Sequence, residues 1–216
     1  MDRDKITGVG RVIRSEACVA EGAAWLAAQD ARFAHALDLT GALPLRLRED
    51  GFGQLLSAIL SQQVSVASAR AIWARLEAAD RITPQAILNT DEESLRALGL
   101  SRQKAAYAHA LAAAGIDYAA LRDAPTDEVV STLVAVKGIG IWTAEIYAMF
   151  SLGHADVFAP GDLALQEGAR MLYNLPDRPR ESALRQMATG WSPWRSVAAR
   201  MLWAYYHVQK QKEGIA

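Results

Sequence analysis

The chain has 216 residues, 51% of them apolar and 22% charged, with a formal net charge of −1. That is an ordinary balance for a globular protein long enough to bury a substantial core, and it excludes an overall polyanion-binding charge, so any such binding must rest on local patches. The single cysteine, Cys18, excludes an internal disulfide and any four-cysteine zinc or iron–sulfur site.

The start, Met1-Asp2-Arg3-Asp4-Lys5, lacks the apolar stretch of a signal peptide, and no run is long enough to span a membrane. The expectation is a cytoplasmic protein in a reducing compartment. Apolar spacing of three and four then predicts helices at 22–39, 52–62, 65–79, 84–97, 102–115, 126–136, 141–152, 162–173, 180–190 and 195–211. Thr83-Pro84 places a capping hydroxyl before a first-turn proline, and Thr90 with Glu93 fits a capping box. Ser101 precedes the helix that carries Arg102 and Lys104, while Gly99, Gly115 and Gly153 stand where helices should stop. Leu43-Pro44-Leu45-Arg46-Leu47 alternates briefly, but its proline and its length argue for an extended connector. The predicted architecture is a compact all-α bundle with a cleft between two helical lobes.

Two features carry chemistry. The first is Leu133-Val134-Ala135-Val136-Lys137-Gly138-Ile139-Gly140-Ile141-Trp142-Thr143-Ala144-Glu145, an apolar helix that enters a Gly-Ile-Gly turn and leaves at once as a second helix. Glycine allows a very tight turn and exposes backbone N–H groups, and the start of the next helix favours an anion. Lys137 adds a positive charge, and Ile139 is expected to tuck between the helices. A plain helix–helix turn with two glycines is the competing reading. The second feature is Asp162, after Pro160-Gly161 at a predicted helix start. An aspartate there is a favoured helix cap, and the positive end of the helix favours its charge. A fixed carboxylate also stabilises the positive charge that builds on a sugar as a glycosidic bond breaks. Asp156 is the competing acid, placed in a loop before Val157-Phe158. Residues 170 to 200 form a candidate basic patch, with Arg170, Arg178, Arg180, Arg185, Arg195 and Arg200 against Asp177 and Glu181. His35, His109, His154 and His207 show no metal-ligand spacing, which argues against a metal-dependent hydrolase.

The segment Val136–Ala144 resembles the hairpin of the helix-hairpin-helix DNA glycosylase superfamily, and within it the alkylpurine (3-methyladenine) DNA glycosylase II branch. Ile59-Leu60-Ser61-Gln62-Gln63-Val64-Ser65-Val66 resembles that branch's DNA-wedge region, and Phe158-Ala159-Pro160-Gly161-Asp162 its catalytic-aspartate segment. Trp191-Ser192-Pro193-Trp194-Arg195-Ser196 is similar to its C-terminal signature, so the likeness spans roughly residues 45 to 210.

The resemblance implies one helix-hairpin-helix glycosylase domain over 1–216, with the hairpin at 133–145 and a lesion cleft between lobes. It implies Asp162 as the essential acid, Trp142, Trp203 and Ile146 around the base, and Gln63 as the wedge. The matching position of Ile146 is a tyrosine in the family, with Tyr147 adjacent here, so this side of the pocket is more apolar. Helical spacing also leaves Trp203 off the face formed by Val197, Met201, Tyr205 and Val208, whereas Trp25, Trp73 and Trp191 read as core. Lys137, Gly138, Gly140, Thr143, Ser65, Arg102 and Lys104 are candidates for the DNA backbone. No cofactor is required. The carbonyls of Val134, Val136 and Ile139 match a site for a structural sodium or potassium ion. Relatives that also cut the strand carry a lysine where Trp142 stands, so the resemblance implies a monofunctional enzyme with water as nucleophile. The expected partner is damaged double-stranded DNA, with no membrane, met by a monomer associated with the nucleoid. The best-known bacterial members carry an additional α/β domain, so the compact form of the family is expected. The alternatives are a non-catalytic helix-hairpin-helix DNA-binding protein, against which Asp162, Trp142 and Trp203 argue, and a bifunctional glycosylase/lyase.

Overall fold

The computed structural model describes residues 9–212 and Gly214; Met1–Lys5, read above for a targeting signal, lie outside the described residues. In chain order the helices are α1 (Glu16–Gln29), α2 (Ala31–Thr40), α3 (Phe52–Ser61), α4 (Val66–Ala78), α5 (Pro84–Leu88), α6 (Glu92–Ala97), α7 (Arg102–Ala113) and α8 (Tyr118–Asp123). They continue with α9 (Thr126–Val134), α10 (Ile141–Phe150), α11 (Leu163–Leu172), α12 (Glu181–Ala188), a short 3₁₀ turn at Thr189–Trp191, and α13 (Arg195–Lys212). Among the described residues the only extended pairing is a single bridge between Val12 and His154, so the fold is all-α. No helix among the described residues is long and apolar enough to cross a membrane.

Most predicted helices form, and their ends follow the capping chemistry. Thr83 caps α5 with Pro84 in its first turn, and Ser65 and Ser101 cap α4 and α7 through their hydroxyls. Gly99, Gly115 and Gly153 all have positive φ. The segment 43–47 has no strand pairing and is not extended throughout, since Arg46 has φ +52°.

Three local expectations are corrected. The helix predicted at 22–39 is two helices, broken at Asp30, whose extended backbone lets its carboxylate accept from the Arg32 N–H at 2.9 Å. The helix predicted at 84–97 is also two. There the Thr90 hydroxyl donates back to the Ala86 carbonyl instead of capping, and Asp91 is the N-cap, accepting from Ser94 N–H at 2.7 Å. Either residue could cap, but the carboxylate of Asp91 offers the stronger acceptor. The six-residue α8 was not expected; it is too short to show a period and is held by Asp117, which accepts from the N–H groups of Ala119 and Ala120.

The chain divides into two compact units, one made of residues 1–47 and 148–216, the other of residues 48–147. In the discontinuous unit α13 is central, packed on α1, α2 and α11. Val197, Ala198, Met201, Leu202 and Tyr205 of α13 and Leu165, Ala169 and Leu172 of α11 are buried there. Each large apolar side chain so buried contributes about 1.5–3 kcal/mol. At Gly168 the two helices meet backbone to backbone: a Cβ at this position would lie 2.7 Å from the Leu202 carbonyl. In the continuous unit α7 packs on α3, α5 and α6, and α3 also packs on α4. The boundary between the units falls inside α10, after Tyr147.

Candidate active site and nucleic-acid interface

In the continuous unit, α9 ends at Val134 and α10 starts at Ile141, with a tight turn between them. The turn closes through Ile139 N–H donating to the Val136 carbonyl at 3.0 Å, and Ile139 is buried. Gly138 has φ +100°, and a Cβ there would lie 2.4 Å from the Tyr107 ring. Only glycine fits that position. Gly140 has nothing within 4 Å of where its Cβ would be, so its lack of a side chain leaves the backbone open to an approaching ligand.

The hairpin forms one wall of a groove of about 650 Å³. Around it the fold gathers Gln63, Lys104, Gly138, Gly140 and Thr143, five residues expected from the sequence to meet DNA, together with the α7 cap Ser101. Two helix N-termini, those of α7 and α10, therefore border a single concave surface, an arrangement suited to phosphate oxygens. Gln62, not assigned a role from sequence, joins the α3–α4 loop to the hairpin: its side-chain amide donates to the Gly138 carbonyl at 2.9 Å. Gln63 is exposed at the loop tip with φ +56°, a left-handed conformation unusual for a side chain of this kind.

Other assigned contacts stand differently. Lys104 lines the groove but is buried, with its ammonium donating to the Leu60 carbonyl at 2.6 Å, and burial lowers its pKa. It thereby caps the C-terminal end of α3. Arg102 is exposed and lies 3.6 Å from Glu92, and Gln103 takes the place in the groove lining next to it. The Ser65 hydroxyl accepts from Ser68 N–H at 3.1 Å as a cap. Lys137 is exposed, as is Trp142 at 45%. Ile146 lies one helical turn beyond Trp142 on α10, half-buried. Of the proposed cation ligands, Val134 is at the end of α9, where helix carbonyls lack intrahelical partners, and the Val136 carbonyl accepts the Ile139 N–H. Such carbonyl oxygens suit a monovalent cation.

The acid lies in the discontinuous unit. A turn closes from Asp162 N–H to the Ala159 carbonyl at 3.0 Å, with Pro160 and Gly161 in its central positions. Gln166, one turn into α11, donates to the Pro160 carbonyl at 2.8 Å and ties the turn to the helix. Asp162 is the N-cap of α11: its Oδ1 accepts from Ala164 N–H at 2.9 Å and Leu165 N–H at 3.1 Å. The Trp203 indole N–H donates to the same oxygen at 3.1 Å. Trp203 is half-buried on α13, off the Val197–Met201–Tyr205 face. The close approach of α11 and α13 at Gly168 sets the two helices at the spacing this bond requires.

Asp156, the competing acid, is occupied. Arg195 grips it through two nitrogens, at 2.6 and 2.8 Å, and the Ser192 hydroxyl donates to it at 2.8 Å. Burial pushes its pKa up, but these hydrogen bonds outweigh that and hold it below the usual carboxylate range.

The basic patch expected at 170–200 is largely neutralised. Arg170 and Arg178 pair with Glu167, Arg185 with Glu181 and Arg195 with Asp156, while Arg200 is buried. Two of those acids, Glu167 and Asp156, lie outside the window in which charges were compared. Trp191 is core, as expected, but Trp25 and Trp73 are only half-buried.

A folded helix-hairpin-helix bordering a groove, and a capped aspartate bound by tryptophan, define the class as a helix-hairpin-helix nucleic-acid enzyme. The family model described as HhH-GPD superfamily base excision DNA repair protein matches residues 56–193. The chain belongs to this superfamily. It is 30% identical over 165 residues to DNA-3-methyladenine glycosylase 1 of Schizosaccharomyces pombe, covering 72% of each chain. Among solved structures it resembles a DNA-3-methyladenine glycosidase from Bacillus halodurans, with TM-score 0.81, 30% identity, and 94% of each chain covered. The S. pombe 3-methyladenine DNA glycosylase in complex with abasic DNA superposes with TM-score 0.71 at 29% identity, over 85% of this chain and 95% of that one.

Proposed function

We propose that this protein is a monofunctional DNA glycosylase that removes alkylated purines of the 3-methyladenine and 7-methylguanine class from damaged duplex DNA. The observation that carries the reading is the Asp162 carboxylate, with Oδ1 held by two helix N–H groups and the Trp203 indole. The target base must leave the stack to be reached. As its bond to C1′ breaks, the bonding electrons go to the base and positive charge spreads over C1′ and the ring oxygen. Asp162, fixed in orientation, stabilises that charge and takes a proton from the water that attacks C1′. The products are a free base and an abasic site.

An alkylated purine already carries positive charge and departs without a protein acid. An indole face favours such a base by about 0.5–2 kcal/mol. Trp203, which bonds Asp162, is the indole offered to it, and Trp142 and Ile146 are assigned to the base by the resemblance alone. The chain holds five lysines, Lys5, Lys104, Lys137, Lys210 and Lys212, and the position of the strand-cutting lysine is Trp142. That favours water over a Schiff base. Gly138, Gly140, Thr143 and Lys137 hold the phosphate backbone, Gln63 fills the gap left by the base, and the carbonyls of Val134, Val136 and Ile139 would hold a structural monovalent cation beside the phosphate. We take the protein to act as a monomer, beside the DNA in the cytoplasm.

The test is release of free bases from methylated duplex DNA, separated by chromatography, with wild type and Asp162→Asn in parallel. Wild type is expected to release methylpurines, and Asp162→Asn to lose at least about 100-fold in rate while still binding DNA. DNA binding without release of any base would instead support a non-catalytic helix-hairpin-helix protein.

A further inference from the structure

We propose that Arg200 is a positioning residue for the reaction, holding Asp162 in place through Phe150 and Trp203. The proposal rests on the glycosylase reading above. Arg200 is 2% exposed, in the second turn of α13. Its hydrogen bonds, among the described residues, run to backbone carbonyls: two nitrogens to Leu45, at 3.0 and 3.3 Å, and one to Ser196 at 3.0 Å. Burial, with Arg46 nearby, lowers its pKa to about 10, so it remains protonated at neutral pH. Carrying a charge into a core is costly, and an apolar side chain of similar length would pack α13 without that cost. The guanidinium therefore needs a reason beyond filling space.

That reason lies along the next contacts. The guanidinium carbon lies 4.7 Å from the centroid of the Phe150 ring, a cation–π distance. Phe150 lies 5.7 Å from the Trp203 ring, tilted by 30°. Trp203, three residues after Arg200 and so on the same side of α13, gives its N–H to Asp162 Oδ1 at 3.1 Å. Arg200 thus fixes two things at once: the connector that carries Leu45, by its planar fork, and the ring on which Trp203 leans. When Phe150 is released, the Trp203 indole is free to turn, and its N–H no longer holds Asp162 Oδ1 from α13. A small displacement of a reacting group is enough to slow a reaction strongly.

The experiment measures single-turnover excision and lesion-DNA affinity for wild type, Arg200→Met, Arg200→Lys, Trp203→Phe and the Arg200→Met/Trp203→Phe double variant. Arg200→Met is expected to excise about 100-fold more slowly, with lesion-DNA affinity and melting temperature close to wild type. Arg200→Lys keeps the cation near Phe150 but not the fork on Leu45, and is expected to be intermediate. In the Trp203→Phe background, where the indole N–H is gone, adding Arg200→Met should slow excision no further. Losses that multiply, or a loss that tracks a fall in affinity and melting temperature, would overturn the proposal in favour of packing alone. Wild-type rates in Arg200→Lys would also overturn it, and this variant decides the matter if Arg200→Met does not fold.

A second readout is independent of catalysis. The Trp203 indole N–H proton, identified by its loss from the NMR spectrum of Trp203→Phe, should exchange slowly in wild type and markedly faster in Arg200→Met. Equal exchange would sink the proposal even for an active enzyme. Inactive wild type with the expected exchange difference would instead count against the glycosylase reading and leave the Arg200 contact chain standing.

Discussion

At Gly138 the backbone and the neighbour make the same demand: φ is +100°, and the Tyr107 ring occupies the place of a Cβ. Gly138→Ala should therefore destabilise the protein by about 2–4 kcal/mol, combining a disallowed backbone with an overpacked contact. Gly140 lacks both constraints, so Gly140→Ala should leave the denaturation midpoint nearly unchanged and weaken binding to duplex DNA. Chemical denaturation and a DNA titration of the two variants check this pair, and a large stability loss in Gly140→Ala would refute the assignment. The two glycines look alike in sequence; what separates them is Tyr107, 31 residues before Gly138 and invisible to any local pattern. Asp162 was legible because its turn and cap are local, Pro160-Gly161 before it and α11 after it. Its bond to Trp203 was not legible, since it depends on two helices meeting at Gly168. Arg200 was misread as a patch residue for a similar reason: composition counts its charge, and burial decides its role.

Between helices, the segment joining α10 to α11 carries the clearest pH dependence. His154 is fully buried there, its backbone N–H donating to the Ala148 carbonyl, and burial of the ring lowers its pKa to about 4 from an ordinary 6.5. The folded state thus holds the neutral ring, while the unfolded chain takes up a proton below pH 6.5. Stability from this group is full above that pH and is lost as pH falls towards 4, by an amount of the order of 3 kcal/mol. Denaturant titrations at stepped pH should show this slope, and His154→Gln should flatten it; an unchanged slope would assign it elsewhere. At the same scale, helix positions were readable where a capping residue had no rival, as at Thr83 and Ser101. They failed where two candidate caps stood together, as at Thr90 and Asp91, or where a polar residue interrupted an apolar rhythm, as Asp30 does.

For the molecule as a whole, the near-neutral charge and the pairing of most arginines in 170–200 leave few cations for phosphate. In the proposed complex much of the grip on phosphate would come from helix N–H groups, which bind without adding a counter-charge of their own. Lesion-DNA affinity should accordingly fall with salt on a shallow log–log slope, between about −1 and −3, at roughly −0.9 per neutralised phosphate. A slope near that of a densely basic protein would mean that a cationic surface has been overlooked, and a titration between 50 and 200 mM salt reads it directly.

The continuous unit begins and ends at the same place in space: Tyr147, its last residue, gives its hydroxyl to accept the Gly51 N–H at 2.7 Å, and Asp50 is clasped by Arg122 beside that turn. Ninety-six residues of chain, hairpin and groove included, are thus drawn into a closed loop by one hydroxyl and one backbone N–H, and Gly51 and Tyr147 mark where that loop shuts.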